Sequence, residues 1–289
     1  MKSEPQVMRP RSRRRWSGIA LTVILIIGAI PLLFPLWWLV TSAFKGLNEI
    51  FQYPPHLFPD ELKWENFAKV FELQPFARQF LNSLYIAALN VIGTLVFSSL
   101  AGYAFARMRF PGRNVLFVLM LSALLVPLEV LIIPLYALMG ELGWLGTHLP
   151  LIVLPVFGVD AVIGTFLMRQ YFLSLPVELE DAGRIDGLSR FGIFRHIALP
   201  LARPALATVA ILTFLTSWNA FLEPLVFVSG VPDLLTVPVA IPLFADSYGF
   251  PVWEVQMAAS TLSILPVLIV FIIAQRYIIP GFARVGIAG

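Results

Sequence analysis

Six stretches, each long enough to form an apolar helix of about 20 residues, dominate this chain: 19–40, 81–106, 115–138, 149–168, 205–228 and 257–274. A helix rises about 1.5 Å per residue, so about 20 apolar residues cross the roughly 30 Å hydrocarbon core of a bilayer. Apolar residues make up 58% of the chain and charged residues only 13%, with mean hydropathy +0.84. A water-soluble domain carries about a quarter charged residues, so lipid has to cover most of this surface. The expected fold is an all-α integral membrane protein with six transmembrane helices. Pro127 and Pro155 lie inside two of the stretches and predict kinks that neighbouring helices must support.

Lysine and arginine collect on the side of the membrane that faces the cytoplasm. With the N-terminus inside, the cytoplasmic segments are 1–16, 107–114, 169–204 and 275–289, and they hold 16 of the 20 basic residues. The first external segment, 44–80, has Lys45, Lys63, Lys69 and Arg78 but also Glu49, Asp60, Glu61, Glu65 and Glu72. The later external loops have no Lys or Arg. Both termini are expected in the cytoplasm. The organisation reads as a basic tail (1–16), a first transmembrane helix (17–43), an external loop (44–80), five further helices and a cytoplasmic tail (276–289). The basic run before the first helix also admits a signal peptide cleaved near Thr41-Ser42-Ala43. The long apolar run and the interfacial pair Trp37-Trp38 favour an uncleaved anchor.

Several chemistries are closed to this chain. With no cysteine, disulfides, thiolate metal sites and cysteine nucleophiles are excluded. His56, His148 and His196 are far apart in sequence and form no metal-ligand spacing. No clustered His/Asp/Glu constellation suggests catalysis, and no glycine-rich run ends in Gly-Lys-Ser/Thr to cradle a phosphate. The net charge of +3 follows from sidedness, and no aromatic-interleaved basic face points to nucleic acid.

The segment 169–204 is long for a helix connection. Pro176 suits a first helical turn, and Glu178, Glu180 and Asp181 place negative charge at the positive helix end. Gly187 is the natural stop, because the residue after a helix often needs φ > 0. The resulting helix, 177–186, carries an apolar stripe of Leu179, Ala182 and Ile185 at spacing three. Ala182 and the small Gly183 would let another backbone approach closely. A helix this short is marginal alone in water. It either fills a groove on a partner or lies against lipid or its own bundle.

Asp181-Ala182-Gly183, three residues, Gly187, nine residues and then Ile197-Ala198-Leu199-Pro200 resembles the cytoplasmic loop of permease subunits in binding-protein-dependent ABC importers. That pattern reads Glu-Ala-Ala, three residues, Gly, nine residues, Ile-x-Leu-Pro. Asp181 stands here for Glu and Gly183 for the second Ala. The stretches 176–180 and 185–187, Trp218 to Leu225, Gln275-Arg276-Tyr277, Thr41 to Lys45 and Trp64-Glu65-Asn66-Phe67 are similar to the carbohydrate-uptake branch, typified by maltose and glycerol-3-phosphate permeases. The C-terminal 281–289 matches the family tail only in part, with Ala288 at a usual lysine.

The resemblance implies a type I ABC importer permease fold, with the transporter domain over 76–275. It implies a cell-membrane protein that translocates a sugar or sugar-like solute and is not itself an enzyme. ATP and Mg would be held by a partner. The implied partners are a second, different permease, two ATP-binding subunits and an extracytoplasmic solute-binding protein, for which the loop around Tyr53-Pro54-Pro55 is a candidate docking surface unless its prolines serve only to order it. The implied coupling residues are Glu178, Asp181, Ala182, Gly183, Asp186, Gly187, Ile197, Leu199 and Pro200.

Glu129, Asp160 and Glu223 lie at membrane depth, where carboxylates usually face an interior or water. With Trp218 and Asn219 they either line a polar translocation path, the indole and amide offering stacking and hydrogen bonds to sugar, or make interhelical hydrogen bonds. The competing reading is an ion-coupled secondary transporter using Glu129, Asp160 or Glu223 as relays, although no internal repeat relates the two halves. The coupling reading makes one prediction at this level. Gly187→Leu should abolish solute uptake while membrane insertion, followed by fractionation, is unchanged; normal uptake by that variant would count against it.

Overall fold

The computed structural model describes residues 12–285, with side chains described over 21–275. Residues 1–11 of the basic tail and 286–289 of the C-terminal tail, Ala288 included, lie outside the described residues. The described chain is helical, apart from one isolated bridge between Ala245 and Pro251. Four helical stretches are long and apolar enough to cross a membrane: Leu21–Ser42, Phe76–Arg107, Leu149–Ser174 and Trp253–Gln275. The number is six when each of two bent pairs is counted as one span: Arg113–Leu125 with Leu128–Glu141 at 96°, and Arg190–Leu201 with Arg203–Trp218 at 76°.

We label the main elements α1 (Ser12–Ser42), α2 (Glu65–Leu73), α3 (Phe76–Arg107), α4 (Arg113–Ser122), α5 (Leu128–Glu141), α6 (Leu149–Phe157), α7 (Val159–Ser174), α8 (Glu178–Ile185), α9 (Arg203–Trp218), α10 (Leu222–Val228) and α11 (Trp253–Val285). Between α8 and α9 runs an elbow of short turns, from Arg190–Ile193 through a wide turn at Phe194–Ala198 to Leu199–Leu201.

The prolines act more strongly than the expected kinks. At Pro127 the helix stops outright, with Val126 (φ −93°, ψ 111°) and Pro127 (φ −69°, ψ 141°) both extended. Proline supplies no N–H and pushes the residue before it out of the helical region. Pro155 sits three residues before Gly158, whose backbone (φ −106°, ψ −137°) divides α6 from α7. The expected fifth helix, 205–228, is also interrupted: α9 ends at Trp218 and α10 begins at Leu222. Pro224 is the physical reason, since its ring would collide with the carbonyl of Ala220 in a continuous helix. At the end of α6–α7 the helix continues past the expected boundary at 168 to Ser174.

Helix α3 is the axis of the bundle and packs on α7 and α9. Its approach to α7 is close because small residues meet there. A Cβ on Gly102 would lie 2.6 Å from Met168 Cβ, and one on Gly164 would lie 2.8 Å from Ser98 Cβ. The buried Asn90 of α3 donates from Nδ2 to the Leu151 carbonyl (3.0 Å) and to Ser217 Oγ (2.9 Å), joining α3, α6 and α9. Near the start of α3, Gln79 donates to the Pro232 carbonyl (3.3 Å) and Asn82 to the Asp233 and Leu235 carbonyls (2.8 and 3.1 Å). Ser83 Oγ accepts the Val237 N–H (2.8 Å). These side chains hold the outer segment before α11 onto α3.

The segment 44–80, from the end of α1 into the start of α3, is an ordered cap. Asn66 Nδ2 donates to the carbonyls of Ala43 (3.0 Å) and Lys45 (2.9 Å). Lys45 is fully buried, with its ammonium 4.2 Å from the Trp38 ring centroid and donating to the His56 carbonyl. Desolvation lowers the Lys45 pKa from its usual value, and Glu49 and Asp60 oppose that shift. Thr41, Ser42 and Ala43 are buried, Ala43 in an outer core with Val70, Phe76, Phe244 and Val255. Tyr53 stands exposed at the tip of the same segment.

The α3–α7 contact has a direct consequence. Gly102→Leu should cost about 1–3 kcal/mol through overpacking, lowering the thermal midpoint of the detergent-solubilised chain. An unchanged midpoint would show that α3 and α7 can separate without loss.

Candidate functional site

Helix α8 ends as its sequence requires. Gly187 has φ +81°, the Leu188 N–H bonds the Gly183 carbonyl (2.9 Å), and the Gly187 N–H bonds the Arg184 carbonyl (3.1 Å). This is a Schellman closure, which favours glycine because a side chain at that φ is strained. Ser189 then caps the elbow, its Oγ accepting the Gly192 N–H at 3.1 Å.

The two faces of α8 differ sharply. Glu178, Leu179, Asp181, Ala182, Ile185 and Asp186 are exposed, with Leu179 at 41% and Ile185 at 87%. The apolar stripe is therefore not folded against the bundle. Asp181 pairs with Arg184 across one turn, Oδ1 to Nη1 at 2.7 Å. Gly183 requires a correction: it faces inward, not toward a partner. A Cβ there would lie 2.6 Å from Ile197 Cδ1 and 3.3 Å from Ile193 Cγ1, so glycine lets α8 sit down on its own elbow. Ile197 and Leu199 are half-buried and Pro200 is exposed. Phe194 and Ala198 of the elbow join a core with Tyr103, Met168 and Phe172 from α3 and α7.

One contact at this site was not anticipated. Glu180 is buried and its Oε1 lies 3.1 Å from Nε of Arg107, the last residue of α3. Breaking such a buried pair by removing one partner costs about 3–5 kcal/mol. Arg107 also donates from Nη2 to the carbonyl of Leu175, which closes α7. In sequence, Glu180 is indistinguishable from Glu178 and Asp181 as helix-start charge. Only its one-turn spacing from Gly183, off the apolar stripe, separates it.

The membrane-depth residues divide into groups. Asp160, in the first turn of α7, accepts from Thr216 Oγ1 at 3.2 Å, and Glu223, half-buried in the first turn of α10, acts electrostatically on it. Asn219 is exposed at the α9–α10 break, with its amide donating to the Leu215 carbonyl at 2.8 Å. These four residues form a polar patch where two helices are broken. Glu129 stands at the separate α4–α5 break, exposed and with no side-chain partner among the described residues. Trp218 requires the second correction. It is buried, stacked on Phe214 (5.7 Å), edge-on to Phe80 (5.5 Å), and its Nε1 donates to the Ser263 carbonyl (3.2 Å). Its ring is used inside the bundle and offers no face to a sugar.

On the cap formed by 44–80, Glu49, His56 and Asp60 bring one possible metal-ligating atom each within 4.8 Å of one another. They already bond among themselves, His56 Nδ1 to Asp60 Oδ1 at 3.2 Å and the Asp60 N–H to Glu49 Oε1 at 2.8 Å, and so serve to close the loop.

Known proteins place this arrangement. Residues 95–284 match the family profile described as the binding-protein-dependent transport system inner membrane component. The arabinooligosaccharides transport system permease protein AraQ of Halalkalibacterium halodurans is 39% identical, over 96% of this chain and 100% of that protein. The sn-glycerol-3-phosphate transport system permease protein UgpE of Pectobacterium atrosepticum is 34% identical, over 93% and 96%. Among solved structures, a chain of a bacterial ABC transporter involved in the import of the acidic polysaccharide alginate shares the fold, with TM-score 0.76 and 24% identity over 95% of this chain and 99% of that one. A chain of the MetNI methionine ABC transporter in an inward-facing conformation matches with TM-score 0.53 and 16% identity, over 73% and 96%. The six-helix architecture, the loop motif and these likenesses converge: the chain belongs to the binding-protein-dependent transport system inner membrane component family, the membrane-embedded permease subunits of ABC importers.

Proposed function

We propose that this permease carries a sugar or sugar-like solute across the cytoplasmic membrane, with both termini inside. In this reading it works with a second, different permease, two ATP-binding subunits and an extracytoplasmic solute-binding protein. The observation that carries the reading is the exposed face of α8. Leu179, Ala182 and Ile185 lie open beside Glu178, Asp181 and Asp186, on a helix whose other face is fixed to the bundle. A short, pre-positioned apolar stripe rimmed with acids is suited to a cleft on another protein. The carbohydrate assignment is supported by the names of the relatives, whose substrates are arabinooligosaccharides and sn-glycerol-3-phosphate.

In mechanism, the chain has no phosphate-cradling loop, so ATP and Mg belong to the partner subunits. Their closure would move the docked α8, and the bundle would answer by exchanging inward-facing and outward-facing arrangements. Such coupling needs an element with two states that a distant ligand can bias. The helix breaks at Pro127, Gly158 and Asn219–Phe221 are the places where the bundle can rearrange with little loss of helical hydrogen bonding. Asp160, Thr216, Asn219 and Glu223 form the polar lining of the proposed path, with Glu129 at its own break. The ion-coupled alternative gains no support from this geometry, since Glu129 stands at a separate break from Asp160 and Glu223.

Two outcomes are expected. Vesicles holding the assembled importer should accumulate solute only with ATP inside the compartment that bears α8; accumulation by this chain without an ATP-hydrolysing companion would contradict the proposal. Ile185→Ser should weaken binding of the ATP-binding subunit about 10- to 100-fold, the value of one buried aliphatic side chain, measured by titration in detergent. Unaltered affinity would place the docking surface elsewhere.

A further inference from the structure

We propose that the buried Arg107–Glu180 pair is a latch through which displacement of α8 is passed to the membrane-crossing helix α3. The proposal deepens the reading of α8 as the docking helix and rests on it. Helix α8 meets the rest of the chain through apolar and charged contacts, and Tyr103 of α3 also interacts with Glu180. Gly183 lies on Ile193 and Ile197, an apolar contact that permits sliding. Among the described residues, the one ion pair from α8 to a membrane-crossing helix is Glu180 to Arg107, at 3.1 Å with side chains 7% and 10% exposed. Separating these charges would leave buried Arg107 without its carboxylate and Glu180 with only the longer 3.8 Å contact to the exposed Arg184 of its own helix, which is opposed. The two elements therefore move together.

The same guanidinium reaches a third element, because its Nη2 donates to the Leu175 carbonyl at the end of α7. One side chain thus joins the inner ends of α3 and α7 to α8. Helix α3 then runs 32 residues to the other face, where Gln79, Asn82 and Ser83 grip the segment before α11. A shift at Glu180 has a continuous route through the Arg107 ion pair and along α3 to its far end. Glu180 is only 5% exposed, so a docked partner would meet Asp181 and not Glu180. Both members of the pair are positioning residues: they touch neither nucleotide nor solute.

The test uses the complete importer in vesicles, with both permeases, the ATP-binding subunits and the binding protein. Glu180→Gln and Arg107→Gln are compared with the exchanged double variant Arg107→Glu/Glu180→Arg. Three quantities are read: retention of the ATP-binding subunits on co-purification, ATP hydrolysis, and solute accumulated per ATP hydrolysed. The latch predicts retained subunits and continuing hydrolysis, with solute per ATP reduced about tenfold in each single variant, within the range of ordinary coupling energies, and partly restored in the exchanged pair. An unchanged ratio in the single variants would overturn it. So would loss of the ATP-binding subunits, which would make the pair a support of the docking surface, or an exchanged pair no better than the singles, which would make shape and not charge the requirement. If a single variant fails to insert, Arg107→Lys, which keeps charge but not the forked donor set, reads the same ratio. A wild-type ratio there overturns the latch, and a few-fold loss supports it. Failure of the wild-type chain itself to retain the ATP-binding subunits would instead contradict the docking reading.

Discussion

The contact between α3 and α7 governs where everything else can lie. Two glycines, Gly102 and Gly164, bring the helices near enough that a single added methyl would collide with Met168 or Ser98. In lipid there is little hydrophobic drive to bring helices together, so shape at such positions and buried hydrogen bonds carry the association. Asn90 supplies the hydrogen bonds to α6 and α9. With that axis fixed, the polar residues near the start of α3 hold the segment before α11, and Arg107 at its other end holds α8.

The places where helices stop are as informative as the helices. A break at membrane depth frees backbone groups that lipid cannot satisfy, so it persists where protein or a polar cavity surrounds it. Asp160, Asn219 and Glu223 lie at or beside two of these breaks, and Glu129 marks a third. Carboxylates and broken helices together give a bundle that can change shape without exposing backbone to hydrocarbon. The cap formed by 44–80 is locked by buried Lys45 and Asn66.

Much of this was legible in the sequence for definite physical reasons. Apolar length dictates membrane crossing, and the spacing around Asp181, Gly187 and Ile197–Pro200 marks the inner helix and its glycine stop, which φ +81° at Gly187 matches. Other features depend on neighbours remote in sequence. Gly183 read as a surface residue because nothing local reveals that Ile193 and Ile197 fold back beneath it. Trp218 read as an open ring because its partners, Phe80 and Ser263, come from α3 and α11. The interruption at Asn219–Phe221 was visible through Pro224, which forbids a helical carbonyl at Ala220; where the helix ends, at Trp218, was not. The Arg107–Glu180 pair joins two segments that only the fold brings together.

The central claim is that the outward face of α8 is the surface by which a separate motor grips this permease. The chain has no cysteine, so a single cysteine at position 185, where Ile185 is 87% exposed, can be followed without background. Its rate of maleimide labelling should be rapid in the isolated permease and fall at least about tenfold when the ATP-binding subunits are added, as for a side chain fully enclosed in an interface core. Equal labelling in both states, with the subunits shown to be bound, would contradict the claim.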